Sequence, residues 1–228
     1  MVRIWLAMLL ALALPGAAPA MAAPVPDDPA FVSMFDGQTL DGWTASKPGE
    51  YVVKNGTIHS TGKARGWIYY NRAQFGSFRW VFHIKQVKGN HKPTVLIWGT
   101  TTPIRDALSA IQFQPPNGGH WDYRPGHNNG GSKYFTKYPH PSWDVKKWAQ
   151  CEILANQTTG VARMACCPLP ANAARCKGVE VLKFTDPTAG REAPLAIQIH
   201  NKGIEDEYKN LLVESPVANP DVLVSTTW

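Results

Sequence analysis

Three stretches of this sequence alternate between apolar residues and residues that bear amide, carboxylate, imidazole or indole groups. In residues 109–114, Ile111 and Phe113 alternate with two glutamines, and residues 148–155 and 195–200 repeat the pattern. Such alternation indicates β-strands with one face in a core. A face in contact with water alone usually carries Lys, Glu and Thr, whereas fixed amides and an indole suit sugar hydroxyls and the apolar sugar ring. We expect the following polar positions to share one ligand-binding face: Gln112, Gln114, Trp148, Gln150, Glu152, Gln198 and His200.

The alternative interpretation of this face is a solvated surface that binds no ligand. His200 has two interpretations as well, because a histidine at a strand end is often structural, yet beside Gln198 and Lys209 it suits a general base. Glu152 is the only carboxylate in the alternating strands, whereas an ordinary glycosidase uses two. The acidic run 205–207 is expected to be a solvated turn.

A long connection, residues 115–148, is rich in glycine and aromatic residues. A connection of this length in a compact domain is usually functional or disordered, and its aromatic content argues against disorder. We therefore expect it to cover the polar face. The ligand-binding residues expected from it are Trp121, Tyr123 and Arg124.

Segments typical of β-strands follow one another at short spacing from residue 51 onwards. Asn55-Gly56 marks a hairpin turn between residues 51–54 and 57–60. Residues 77–87 alternate strictly, and no helical period of useful length appears beyond the N-terminus. Gly and Pro each occur 19 times, which favours many short strands and turns. About ten or eleven strands are expected, which predicts an all-β fold of two packed antiparallel sheets.

The N-terminus has the pattern of an export signal. Arg3 precedes an apolar run, residues 4–14, which ends at Pro15-Gly16 and is followed by small residues that fit a cleavage site. The run is too short to span a membrane comfortably, although an uncleaved anchor is the alternative. We expect a signal peptide at 1–22, a leader at 23–30, one domain at 31–216 and a C-terminal tail at 217–228. The mature protein is then periplasmic or secreted, with no membrane contact.

Four cysteines in an oxidising compartment suggest two disulfides. A hairpin at residues 157–160 would bring Cys151 opposite Cys166 or Cys167. The remaining one of these two would then pair with Cys176. A metal site is the alternative, but the spacings contain no CxxC pair.

The formal net charge of +6 comes from scattered positive residues. A solvated basic surface explains it, and an anionic partner such as an acidic polysaccharide or a membrane surface is the alternative. Nothing indicates a nucleic-acid partner. The nucleophile elbow, the P-loop, the HExxH zinc motif and the dinucleotide fingerprint are all absent. His120 and His127 could ligate a divalent cation, although histidines in glycine-rich loops usually are not ligands.

Four short motifs occur in a fixed order and together span nearly the whole expected domain. The first is FDGQTLDGW, and the others are weaker individually. In order they are residues 35–43 (FDGQTLDGW), 51–58 (YVVKNGTI), 148–153 (WAQCEI) and 197–200 (IQIH), the last followed by Lys209-Asn210.

In these motifs the chain resembles the 3-keto-disaccharide hydrolase family of exported bacterial proteins. The resemblance implies a concanavalin-like jelly-roll β-sandwich that acts on an oligosaccharide or polysaccharide at its concave sheet face. The chain departs from the family pattern in four places. Ala110 stands where the family has a glutamate, and Lys209 replaces an arginine. Asn201-Lys202 displaces the glycine that follows the histidine, and residues 90–93 replace an N-S-G start of a strand.

The resemblance also implies a chemistry that does not need two carboxylates. A ketone at C3 of a sugar acidifies the C2 proton, and removal of that proton can expel the glycosidic oxygen. One base and one group that stabilises the enolate are sufficient. Glu152 or His200 is expected to be the base, and Lys209 or a bound cation to stabilise the oxyanion. The chain is thus expected to be a glycoside hydrolase or lyase, with a non-catalytic carbohydrate-binding module or a structural envelope protein as alternatives.

Overall fold

This computed structural model describes residues 30–228. They contain fifteen β-strands and two short 3₁₀ helices. The expected signal peptide and most of the expected leader lie outside the described residues. In chain order the strands are β1 (Phe31–Ser33), β2 (Trp43–Ala45), β3 (Tyr51–Lys54), β4 (Thr57–Ser60), β5 (Gly66–Tyr70), β6 (Phe78–Lys88), β7 (Thr94–Ile97), β8 (Ile111–Phe113), β9 (His120–Asp122), β10 (Phe135–Thr136), β11 (Ala149–Asn156), β12 (Val161–Pro168), β13 (Val179–Thr185), β14 (Ala196–Ile199) and β15 (Glu205–Glu214).

The strands form two antiparallel sheets. The larger has nine strands in the order β10-β13-β12-β11-β6-β15-β4-β3, and β1 also pairs with β15. The smaller has six strands in the order β2-β5-β14-β7-β8-β9. The predicted all-β, jelly-roll sandwich of two antiparallel sheets is confirmed.

The core lies between the two sheets and is built from the apolar positions of the alternating strands. Trp80 and Phe82 of β6 and Ile153 of β11 come from the nine-stranded sheet, and they share one buried cluster with Ile111 of β8 and Ile197 of β14 from the six-stranded sheet. Period-two alternation is what allows each strand to bury one face and leave the other outside the sandwich.

Four short strands were not predicted from the sequence, namely β1, β2, β9 and β10. Each has only two or three residues, which is too short for an alternating pattern to be recognised. The predicted solvated turn at residues 205–207 is wrong, because these residues begin β15 and Asp206 is only 1% exposed.

The disulfide pairing resolves the alternatives that the sequence left open. Cys151 of β11 lies directly opposite Cys166 of β12 and is bonded to it. Cys167 is bonded to Cys176 and closes the connection that follows β12. Disulfides persist outside the reducing cytosol, so this pairing favours an extracytoplasmic location. Within residues 30–228, no helix is long and apolar enough to cross a membrane.

The C-terminal segment, residues 217–228, packs on the outer face of the nine-stranded sheet. Leu223 is 2% exposed in a small apolar cluster with Leu154 of β11 and Ala165 of β12. Trp228 packs against a second cluster that contains Val81 and Leu212. The segment therefore covers part of a sheet face that would otherwise expose apolar side chains.

Candidate functional site

The polar positions expected to share one face are divided between the two sheets. Gln112, Gln114 and Gln198 belong to or adjoin β8 and β14 of the six-stranded sheet, whereas Gln150 and Glu152 belong to β11 of the nine-stranded sheet. The two outer faces point away from each other across the core. The expectation of a single face is wrong, because alternation assigns each side chain to a face of its own strand but does not say which sheet the strand joins.

Glu152 is fully buried beneath the C-terminal segment. Its Oε1 contacts Arg79 Nη1 and accepts the Val224 N–H (3.0 Å), and its Oε2 accepts the Ser225 N–H (2.7 Å). Both carboxylate oxygens are thus occupied, and neither is accessible to a sugar. The structure corrects the expectation that Glu152 is a catalytic base: it anchors the C-terminal segment.

Three further predicted residues also lie on the outer face of the nine-stranded sheet. Lys209 and Trp148 contact each other, with the ammonium 4.4 Å from the indole centroid. Gln150 is buried and donates through Nε2 to the Cys176 carbonyl (3.1 Å). Because these residues are on the opposite sheet from His200, the expectation that Lys209 stabilises an oxyanion at the same site is wrong.

Arg124 is buried in an ion-pair cluster. It pairs with Asp122 (2.8 Å) and Asp186 (2.7 Å), and its guanidinium lies over the rings of Tyr134 and Phe184. All of these partners belong to the fold, so Arg124 holds the 115–148 connection to the end of β13. The expected ligand contact of Arg124 is not supported.

The outer face of the six-stranded sheet contains a linked row of glutamine amides. Gln112 Nε2 donates to Gln198 Oε1 (2.5 Å), and Gln114 Nε2 donates to Gln112 Oε1 (3.1 Å). Gln112 and Gln198 are at most 1% exposed. Among the described residues, the Gln198 Nε2 amide has no hydrogen-bond partner. A buried donor without a partner is unfavourable, and an acceptor oxygen from a ligand or from water would satisfy it.

Arg65 links the glutamine row to His200. Its guanidinium forms a bidentate pair with Asp106 (3.0 and 2.9 Å) and donates to the His200 carbonyl (2.6 Å). It also donates to the Tyr123 hydroxyl oxygen (3.1 Å), which lies 3.5 Å from Gln112 Nε2. The Tyr123 oxygen therefore accepts from its neighbours, and its own hydrogen is left to be donated to a ligand.

His200 follows β14 at the edge of this face and stacks on His91, with ring centroids 3.6 Å apart. Burial, followed by the charges of His91 and Arg65, lowers the pKa of His200 to about 4. The imidazole is therefore neutral at neutral pH. The Nδ1 atom lies 2.9 Å from Asn201 Oδ1, which can only accept, so Nδ1 carries the hydrogen and Nε2 is the basic nitrogen.

Aromatic side chains border the same face. Trp121 is 39% exposed, lies opposite Gln112 in the β8–β9 ladder and is 6.2 Å from Tyr123 between ring centroids. Trp67 of β5 is partly buried and lies opposite Gln198 in the β5–β14 ladder. An exposed indole on a polar sheet face suits the apolar ring of a sugar.

Ala110 lies in an apolar cluster on this face. It is fully buried with Leu96, Leu108 and Ala196. The 3₁₀ turn that precedes it, Asp106–Ser109, has positive φ values at Ala107, Leu108 and Ser109, a conformation that non-glycine residues rarely adopt. This turn brings Leu108 over the sheet, so the position at which the family has a glutamate is apolar here.

The two loop histidines have different partners and do not form a shared metal site. The ring of His120 stacks on Phe135 and its Nε2 accepts the Gly131 N–H. His127 lies beside Asp186 (3.9 Å). Within residues 30–228, no three His, Cys, Asp or Glu side chains are arranged to hold a metal ion.

The sequence did not single out Arg65 or His91, and it gave no reason to prefer Asp106 to the other carboxylates in loops. Arg65 and Asp106 are 41 residues apart and lie outside the alternating stretches, so nothing in the sequence indicated their pairing. His91 had a weak signal, since it lies in residues 90–93, where the chain departs from the family motif.

Comparison with known proteins identifies the family. Residues 30–214 match the model of the 3-keto-alpha-glucoside-1,2-lyase-like domain. The chain belongs to this family. The resemblance seen in the sequence motifs is thereby confirmed, and with it a carbohydrate-active domain of the glycoside hydrolase type.

Solved structures share the fold at low sequence identity. A candidate glycosyl hydrolase from Parabacteroides distasonis is 13% identical with a TM-score of 0.57, covering 82% of this chain and 95% of its own. A galectin-like protein from Bacillus subtilis is 8% identical with a TM-score of 0.53, covering 77% and 90%. A β-1,3-1,4-glucanase from a mouse hindgut metagenome is 9% identical with a TM-score of 0.50, covering 82% and 98%. No protein of curated function matches the sequence.

Proposed function

We propose that this protein cleaves 3-keto-glycosides by elimination at the outer face of the six-stranded sheet. The observation that supports this most directly is the arrangement around Arg65. One guanidinium contacts both the His200 backbone carbonyl and the Tyr123 hydroxyl, so the residue that supplies the base and a hydrogen-bond donor are anchored by the same side chain. These are the two groups that the elimination needs.

In the proposed reaction, His200 Nε2 removes the C2 proton that the C3 ketone acidifies. The negative charge moves to the C3 oxygen, which accepts a hydrogen bond from the Tyr123 hydroxyl. The enolate then re-forms the ketone as a C1–C2 double bond forms and the bond from C1 to the glycosidic oxygen breaks. The departing oxygen takes the proton from the imidazolium, and the products are an alcohol and an unsaturated keto sugar. Addition of water to the double bond completes a net hydrolysis.

In this proposal Tyr123, and not Lys209, donates the hydrogen bond that stabilises the oxyanion. Its hydroxyl oxygen accepts from a positively charged group, and this polarises the O–H bond and strengthens its donation to a developing oxyanion. Trp121 is proposed to contact the sugar ring from the rim of the face, and Gln114 to bind a hydroxyl.

The second candidate is a carbohydrate-binding module of the same fold. The fully buried Ala110 favours it, because a carboxylate is lost at a position where the family has one. Binding of the same sugars without turnover would select this candidate.

The test compares His200→Gln and Tyr123→Phe with the unchanged protein on a 3-keto-glucoside, following both sugar release and calorimetric binding. Loss of a positioned general base is expected to lower kcat by about 10²- to 10⁴-fold. Loss of one oxyanion donor is expected to lower it by about 10²- to 10³-fold. KM should change little, since both groups act mainly in the transition state.

The matched control is His127→Gln, which alters a partly exposed histidine on another part of the chain. Its kcat should equal that of the unchanged protein. If His200→Gln and His127→Gln have the same kcat, His200 is not the base. If no variant, including the unchanged protein, releases sugar although all of them bind it, the protein is a binding module.

A further inference from the structure

The outer face of the nine-stranded sheet contains a cleft that the proposed reaction does not use. Its volume is about 760 Å³, which lies in the range of small-molecule sites. One wall is the connection after β12, closed by the Cys167–Cys176 disulfide, and the floor is formed by residues of β6 and β15 and by Trp148. The cleft is lined by Lys85, Lys146, Lys147, Trp148, Lys209 and residues 169–174.

The charge in this cleft is of one sign. Four lysines line it, and none of the lining residues is acidic. Lys85 pairs with Glu207 outside the cleft (2.6 Å), but among the described residues Lys146, Lys147 and Lys209 form no ion pair. Burial, followed by the charge of Lys85, lowers the pKa of Lys209, and the Glu207 carboxylate offsets this shift only in part. An anion placed between the lysines would remove this mutual repulsion.

The cleft also contains an aromatic ring between its charges. The Trp148 indole centroid lies 4.8 Å from Lys85 Nζ and 4.4 Å from Lys209 Nζ. The wall opposite consists of Leu169, Pro170 and three alanines, with one amide from Asn172. A ligand that fits must therefore present several negative charges along its length and an apolar surface between them.

We propose that this cleft binds an oligosaccharide with repeating carboxylates, that is, a chain of uronic acid residues. Each uronate has a carboxylate for an ammonium group and an apolar ring face for the indole and the aliphatic wall. Lysine binds anions as a mobile point charge, which tolerates the varied carboxylate positions of a polymer. The site lies on the sheet opposite the proposed reaction face, so it would hold the protein on an acidic polysaccharide without blocking that face.

The test is calorimetric titration of the mature chain with tetragalacturonate, with its methyl ester as the neutral control. The cleft variant Lys146→Gln/Lys147→Gln/Lys209→Gln is expected to bind the acid at least about tenfold more weakly. The charge-matched control Lys47→Gln/Lys54→Gln/Lys63→Gln removes three exposed lysines outside the cleft and should keep the affinity within about twofold. The methyl ester should not bind to the cleft.

Other outcomes overturn the proposal. These are the absence of tetragalacturonate binding, an equal loss of affinity in the two triple variants, and equal binding of the methyl ester. A further variant, Trp148→Leu, separates a sugar from a simple anion, because it should weaken the uronate but not inorganic polyphosphate. If polyphosphate binds as tightly as the uronate and the affinity of neither changes in Trp148→Leu, the cleft is a general anion site and the assignment to a sugar is wrong.

Discussion

His200 is neutral over most of the pH range because it is partly buried beside His91 and Arg65. A general base works only in its unprotonated form, so activity that depends on His200 should persist from neutral pH down to about 4 and fall below that. The measurement is kcat/KM on a 3-keto-glucoside across this range. An acid limb near the ordinary histidine pKa of 6.5 would contradict the lowered pKa of His200, whereas Tyr123→Phe should leave the limb in place.

Asp206 is a second residue whose environment changes its protonation. Burial raises its pKa to about 8 from an ordinary value of 3.8, and its carboxyl contacts Gln86 (3.3 Å). The folded state thus holds a proton that the unfolded state releases between these two values. The stability contributed by this proton is complete below pH 3.8 and is lost as the pH rises through about 8.

The corresponding variant is Asp206→Asn, which cannot titrate. Urea unfolding at several pH values from about 5 to 8 should show the unchanged protein losing up to about 1.4 kcal/mol per pH unit relative to this variant. Parallel stability curves would show that Asp206 is ionised in the folded state. Glu205→Gln, at a partly exposed neighbouring carboxylate, serves as the control.

At the scale of elements, the C-terminal segment and the sheet beneath it depend on two buried ion pairs that share Arg79. Arg79 contacts Glu152, pairs with Glu214 (2.7 Å) and donates to the Asn219 and Val222 carbonyls. Because Glu152→Gln removes one of the two counter-charges of a buried guanidinium and weakens the acceptor for the Val224 and Ser225 N–H groups, it should lower the free energy of unfolding by about 1.5–3 kcal/mol. The kcat of the protein that remains folded should not change.

Denaturant unfolding and active-site-normalised kinetics measure these two effects separately. Glu205→Gln should lower stability by no more than about 1 kcal/mol, because Glu205 is partly exposed and its ion pair with the exposed Lys88 (3.7 Å) lies at the surface. A large fall in kcat for stable, folded Glu152→Gln would restore the catalytic role that the sequence suggested for this residue.

The connection after β12 is the second element whose stability depends on one identified interaction. The Cys167–Cys176 disulfide closes a short loop, and its removal by Cys167→Ser/Cys176→Ser should cost about 2–3 kcal/mol of stability. The loop forms one wall of the lysine cleft, so uronate affinity should fall while the 3-keto-glucoside kinetics stay the same. Equal effects on both ligands would show that the loop supports the whole domain rather than the cleft.

At the scale of the whole molecule, the two proposed sites are separated by the core of the sandwich. The reaction face lies on the six-stranded sheet and the lysine cleft on the nine-stranded sheet. Two sites are coupled only if a ligand at one of them favours a conformation that changes affinity at the other, and a rigid core between the sheets offers no such second conformation. Saturating tetragalacturonate should therefore leave KM and kcat for the 3-keto-glucoside unchanged. Competitive inhibition by the uronate would mean that it binds at the reaction face.

Much of the fold followed from the sequence alone. Alternation identified the long strands, such as β6 and β11, because burial of one strand face imposes a period of two that is visible locally. The short edge strands and the strand character of residues 205–207 were missed, because these elements are stabilised by neighbours distant in the chain and leave no local period.

The sequence by itself determined that amides, a histidine and aromatic residues occupy the outward positions of this sandwich, and its motifs indicated the family. Only the tertiary structure decided which of these residues meet. It joined Gln112, Gln198, Tyr123 and His200 through Arg65, and it placed Glu152 under the C-terminal segment. The physical reason is that side-chain alternation is a property of one strand, whereas the composition of a sheet depends on pairings between strands far apart in the chain.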